Sequence, residues 1–391
     1  MKKISRLISV FLAVIMLCTL ASFAEETTVA ADDPVICTIG GSEVRLSDIQ
    51  MYGYQLYMYG YLSSYTDYAS ALDYILMFVE LPKLKVAEIG AQSILGEEYD
   101  AIRAEGESMY EKEIEAFIES NNAGELSEEE YKAKYEEATA YFDSIDYSRD
   151  VYVDGFVADR AFFKLVENNV EPISDEEVQK MYEECVEYDK GFFENNVAMY
   201  EFYTYEYGYK LFYRPAGYRA VTHILLDADA ELLSAYQTAA DAEAQDAAAK
   251  AVVESQQSVI DEIYARLDAG EAFNALIPEY NIDGGMTGDG IKEGYQIHAE
   301  STRYVPEFTA GAFSEEMQKI GDVSKPVVSQ FGIHIIYYMD DVPAGPLELT
   351  EDVFEGLRQN LLDQAQEKLI RTWLDEYEVV YSAEAASYAI Q

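Results

Sequence analysis

Positive charge, histidine, cysteine and tryptophan are all scarce in this chain. Its 391 residues hold 27 Lys plus Arg against 74 Asp plus Glu, a formal charge of −47. Phosphate-rich partners would be repelled, which argues against nucleic acid and anionic membrane surfaces and leaves neutral or basic polypeptides as partners. The three histidines, His223, His298 and His334, and the three cysteines, Cys18, Cys37 and Cys185, form no closely spaced pairs. That excludes a structural zinc site and a disulfide framework, although Cys37 and Cys185 leave room for one bond that sequence alone cannot place. Beyond the first 24 residues no run is apolar enough to span a bilayer. The single Trp contrasts with 34 Tyr and 17 Phe, and a hydrophobic content of 49% suffices for real cores. The length suggests two or three domains.

The N-terminus has the pattern of an export signal. Lys2, Lys3 and Arg6 precede the apolar run Leu7 to Leu20, and "SFA" at 22–24 offers small residues for cleavage before Glu25. Residues 1–24 are therefore expected to be a signal peptide and the mature chain to be secreted to the extracellular space or cell envelope. Lipidation at Cys18 is disfavoured, because Leu17 is bulky and Cys18 lies within the apolar run.

Residues 25–215 read as a mainly helical domain. "VICTIGGSEVRLSDIQMYGYQLY" opens with a β-like run, turns at Gly40-Gly41 and starts a helix capped by Ser47 or Asp48. Helical periodicity then dominates to about residue 198, with Ser174 and Glu177 spaced as a capping box. Tyr54, Tyr57, Tyr61, Tyr65 and Tyr68 recur at intervals of three and four, which predicts one helix face, used for packing or as a groove for unfolded chains. Tyr203, Tyr205, Tyr207 and Tyr209 alternate as a strand would, and Pro215-Ala216-Gly217 marks a boundary.

From Tyr218 the pattern changes. "YRAVTHILL" is β-rich, and 227–258 reads as a solvated helical extension leading into "GEAFNALIPEYN". "DGGMTGDG", "RYVPEFTAGAF", "GDVSKPVVS" and the apolar strand "FGIHIIYY" follow in that order. An isolated histidine on an apolar strand is more often packing than chemistry. Several ordered motifs together say more. Residues 218–341 resemble a parvulin-type peptidyl-prolyl isomerase: "THILL" is similar to the family's first strand, "GEAFNALIPEY" to its first helices, "VPEFTAGAF" to its pocket helix, and "GDVSKPV" and "FGIHII" to its last strands.

The resemblance implies rotation about X-Pro bonds, against a barrier of about 18–20 kcal/mol, without any cofactor. By position it implies catalytic roles for His223, Asp283 and His334, the two histidines orienting each other beneath the site. It implies a proline pocket of Tyr304, Phe308 and Phe313, with Ser329 as a small hydroxyl close by and Phe331 as an aromatic before the final Gly-x-His. No metal is implied, and His298 matches no catalytic position. The glycine loop departs from the family's Gly-Gly-Asp-Leu-Gly. Asp227, Asp229 and Glu231 stand where a phosphate-directed subtype would carry basic residues.

The wider arrangement resembles secreted foldases of the PrsA/SurA type. The expected fold is α+β: a helical chaperone-like domain (25–215), an inserted parvulin domain (216–345) with a small antiparallel sheet among helices, and a C-terminal helix (346–391) packing back on the helical domain, with Thr350 as its N-cap. Its expected partners are unfolded or exported polypeptides containing X-Pro bonds, with homodimerisation left open. Two other functions remain open on sequence alone: a catalytically silent holdase that keeps the parvulin shell, and a Tyr-rich surface-binding protein.

Overall fold

The computed structural model describes residues 33–388 except 123, 125 and 146. The proposed signal peptide and Cys18 lie outside the described residues. The chain divides into two compact units, one of residues up to Asp175 together with Glu355 onward, the other Glu176–Phe354.

The first unit opens with a three-stranded antiparallel sheet. Val35–Ile39 is central, flanked by Ser42–Arg45 after the Gly40-Gly41 turn and by Val379–Tyr381 from near the C-terminus. The helix Leu46–Met58 follows directly, and Arg45 rather than Ser47 or Asp48 holds the N-cap position. Asp48 instead sits three residues inside, its carboxylate accepting the Arg45 N–H at 2.8 Å. The expected tyrosine face is not one helix. Gly60, at φ +76°, turns the chain out of the helix, and a new helix begins only at Tyr68. Tyr61 and Tyr65 therefore lie on the connecting loop, where Tyr65 meets Tyr57 edge to face at 5.9 Å.

The rest of this unit is helical. Tyr68–Ile75 continues through a π-helical turn at 76–80 into Leu81–Ile89, and longer helices run Tyr99–Ser120, Glu128–Ser144 and Arg149–Asn169. Three- and four-residue apolar spacing places Tyr110, Ile114, Phe142, Val153 and Phe162 in one core. Ile370, Leu369 and Trp373 of the last helix, Glu351–Leu374, join the same core. The Thr350 hydroxyl accepts the Val353 N–H at 3.4 Å at the start of that helix.

The second unit is built on a four-stranded antiparallel sheet in the order Tyr295–Ile297, Arg219–Leu226, Gly332–Asp341, Val327–Ser329. Strand alternation sorts its side chains. Ile224, Leu226, Ile333 and Ile335 face a core shared with the helices Ala230–Gln237, Ala242–Ser255, Gln257–Asp268 and Phe273–Tyr280. Val221, Ile336 and Tyr338 face the opposite side, under the short helix Pro306–Ala312.

Two readings of this region are corrected. The 227–258 stretch is helical but not solvated throughout, since Tyr236 and Val252 are buried against the sheet. The 203–209 segment is not a strand. Phe202–Glu206 forms a π-helical turn, closed by the Tyr207 N–H to the Phe202 carbonyl, and its rings stack on one another instead of alternating across a sheet. The second unit begins upstream of Pro215: Phe193, Val197 and Tyr200 pack with Tyr218. Cys37 and Cys185 are free thiols. Among the described residues no helix is long and apolar enough to cross a membrane.

Candidate active site

The two buried histidines meet because of register. His334 pairs with Leu225 and His223 with Ile336, so the two imidazoles are diagonal neighbours on one face of adjacent strands. Their Nδ1 atoms are 3.1 Å apart and their rings lie nearly parallel, at 12°. His223 Nε2 reaches Asp283 Oδ2 at 2.8 Å, and His334 Nε2 reaches the Ser329 hydroxyl at 2.7 Å. A continuous chain Asp283–His223–His334–Ser329 results, with Ser329 fully buried and both histidines nearly so.

Electrostatics fix part of its proton order. The hydrogen bond from His223 holds the Asp283 carboxyl well below the usual carboxylate range, against the opposing effect of burial. The Gly285 N–H and the Tyr295 hydroxyl also donate to it, at 2.9 and 2.8 Å. Asp283 is therefore an acceptor only, and His223 Nε2 must donate. Burial, reinforced by charge on His223, lowers His334 to about 3, so its imidazole is neutral at ordinary pH. Neutral His334 carries a single N–H, so of its contacts to His223 Nδ1 and Ser329 Oγ it donates at one and accepts at the other.

The backbone around Asp283 is itself held. Asn281 Oδ1 accepts the Leu225 and Asp283 N–H groups at 2.9 and 3.1 Å, and its Nδ2 donates to the Asp283 carbonyl at 2.8 Å. A Cβ at Gly285 would fall 2.2 Å from the Tyr295 hydroxyl, so a side chain there would displace that hydroxyl from Asp283. The altered loop "DGGMTGDG" thus keeps the glycine that lets Tyr295 reach Asp283, and it buries Met286 in the core behind the sheet.

Aromatic rings cover the network. Phe308 stands edge-on to both histidines, with centroids 5.0 and 5.2 Å away. Tyr304 lies 5.6 Å from Phe308 and stacks on Tyr295, its hydroxyl donating to the Gln296 carbonyl at 3.2 Å. Phe313 belongs to the same apolar cluster but is one step removed, with the Arg219 guanidinium 4.0 Å over its ring. Phe331 is 55% exposed, and its N–H donates to Ser329 Oγ. His298 stands apart: it is half-buried beside Tyr218 and accepts the Glu300 N–H.

The structure therefore gathers His223, Asp283, His334, Ser329, Phe308 and Tyr304, and sets Phe313 at the edge. Sequence reasoning did not single out Tyr295 or Asn281. An Asn two residues before an Asp in a glycine loop is a local turn signal that could have marked Asn281. Nothing local marks Tyr295, which reaches Asp283 only through strand pairing. Among the described residues no group of three or more His, Cys, Asp or Glu side chains is placed to hold a metal ion.

Residues 223–340 match the family described as Rotamase, a PPIC-type PPIASE domain, and that segment is a parvulin domain. A curated foldase protein PrsA from Caldanaerobacter subterraneus subsp. tengcongensis is 34% identical over 128 residues, 33% of this chain and 39% of that protein. A parvulin-like PPIase from Rickettsia typhi is 35% identical over 92 residues, 24% of this chain and 31% of that protein. The matched stretch spans less than half the length of either relative. A solved structure of SurA-like chaperones from Campylobacter jejuni aligns over 89% of this chain and 100% of its own, at 14% identity and a TM-score of 0.29.

Proposed function

We propose that a protein with a PPIC-type rotamase domain at 223–340 and this buried network is a secreted peptidyl-prolyl cis–trans isomerase that assists folding of exported polypeptides. The observation that carries the reading is the unbroken hydrogen-bond chain Asp283–His223–His334–Ser329 directly beneath the Phe308 ring. A planar X-Pro amide is stabilised by resonance and by water on its polar carbonyl. Transferring it onto Phe308 and Tyr304 removes that water, which costs the planar forms more than the less polarised twisted one. The network beneath supplies groups that are already oriented, so little reorganisation is needed when the carbonyl rotates. No bond is made to the protein. Each tenfold acceleration requires about 1.4 kcal/mol of preference for the twisted amide.

Secretion rests on the signal pattern of residues 1–24. A chaperone contribution from the first unit rests on a separate observation: Ile49 to Thr66 contains no charged residue in this strongly acidic chain, and Tyr54, Tyr57, Tyr59, Tyr61 and Tyr65 there are exposed. The test is exchange NMR on a short neutral proline peptide. The wild type should accelerate isomerisation, and Asp283→Ala and Phe308→Ala should each slow it at least tenfold. A wild type indistinguishable from buffer leaves the silent holdase and the Tyr-rich surface-binding protein as the surviving readings.

A further inference from the structure

Next to the aromatic cover lies a cation without an acid. Arg303 is exposed, and its guanidinium lies 3.3 Å from the centre of the Tyr205 ring and 5.3 Å from that of Tyr304. Arg214 acts on the same Tyr205 phenol, which burial raises and both arginines pull back. Among the described residues neither arginine has an ion pair. Arg214 donates only to the Pro343 carbonyl, and its Nε has no partner. With acids outnumbering bases 74 to 27 in this chain, an arginine stacked on a tyrosine with no acid paired to it among the described residues is unusual company.

Arg303 is also held in place. The nearby carboxylate is Glu201, but it is buried and already accepts from the Tyr218 and Ser301 hydroxyls at 3.2 and 2.6 Å and from the Thr302 N–H at 3.1 Å. Those bonds clamp the loop on the N-terminal side of Arg303, and Tyr304 anchors the other side through Gln296. Stacking on Tyr205 leaves the rim of the guanidinium, with its N–H donors, free for a planar anion.

We infer that Arg303 is a specificity-determining residue that receives a carboxylate side chain of the client, an Asp or Glu near the isomerised proline. The inference rests on the isomerase reading for where the proline sits. The Tyr304 ring lies 5.3 Å from the guanidinium and 5.6 Å from Phe308, so Arg303 is no more than about 11 Å from the Phe308 ring, or about three residues of extended chain. The π-helical turn at 202–206, outside the matched family segment, contributes half of this subsite through Tyr205.

The test uses the full chain and a set of alanine-based proline peptides, with Glu or Lys placed at each of three positions on either side of proline. Turnover is read by exchange NMR and Kd by peptide titration, for wild type, Arg303→Ala and Arg303→Lys. At least one Glu peptide should exceed its alanine parent in wild type by two- to five-fold, the range an exposed ion pair supports, and its Lys counterpart should fall below the parent. The advantage should shrink in 0.5 M salt, collapse to one in Arg303→Ala and persist in part in Arg303→Lys. If Arg303 only staples Tyr205 to the loop, Arg303→Ala changes Glu and alanine peptides by the same factor, which overturns the inference. If turnover is absent but the Kd ratio and its loss in Arg303→Ala remain, the carboxylate subsite stands and the isomerase reading falls. A ratio of one in both measurements rejects the subsite.

Discussion

At the scale of single residues, the site depends on burial deciding protonation. His334 is held neutral, so the stability it contributes is present above its unfolded value near 6.5 and is lost as pH falls toward about 3. Asp283 is shifted down as well: its contribution is present above the ordinary carboxylate value and is lost only below it. Between pH 7 and 5 the buried Asp159 carboxyl, raised to about 7, takes up a proton in the fold and works against the histidine, so the histidine is isolated by comparing wild type with a His334 variant. Across that window wild type should lose thermal stability relative to His334→Gln as pH falls, the difference in slope being at most about 1.4 kcal/mol per pH unit. Parallel curves for the two proteins would show that His334 is not held neutral by the fold. In kinetics, His334→Ala and Asp283→Ala should slow isomerisation with helical content retained, and the double variant should lose much less than the product of the two, because both act through one network. The histidine pair was legible in the sequence only because several motifs agreed. Neither strand alone distinguishes chemistry from packing, and what joins the rings is a register that sequence does not state.

At the scale of elements, alternation and helical spacing carried most of the reading. The strands Arg219–Leu226 and Gly332–Asp341 and the long amphipathic helices have buried faces that match their apolar periods. Two of the failures share one cause. Tyrosine is amphipathic, so a tyrosine-rich segment fits several periods at once: the five-tyrosine series is broken by Gly60, and the 203–209 alternation folds as a π-helical turn whose rings satisfy one another. The 227–258 helices were legible as helices, but an alanine-rich surface hid the burial of Tyr236 and Val252. The last helix supplies a direct test of packing. Ile370 is 3% exposed in the core with Phe162 and Leu81, so Ile370→Ala should cost about 2–5 kcal/mol in urea unfolding of the full chain. A loss under about 0.5 kcal/mol would mean that this helix does not complete that core.

At the scale of the whole molecule, the second unit is larger than the matched family segment, because Glu201 and Tyr205 come from before it and hold the loop that carries Arg303 and Tyr304. A fragment of residues 176–354 should therefore fold and melt at higher temperature than one of residues 216–345, which lacks the buried Glu201 clasp; equal melting temperatures would show that the clasp contributes little. Export is checked by mass spectrometry of the secreted chain, which should begin at or near Glu25 without an acyl group on Cys18. The central claim is that the buried network beneath Phe308 turns an aromatic surface into a rotamase. Exchange NMR on a neutral Ala-Pro peptide with the full-length protein tests it most directly: the account predicts acceleration by wild type and at least a tenfold loss in Asp283→Ala with the fold intact. Equal acceleration by both proteins, or none by either, would contradict it.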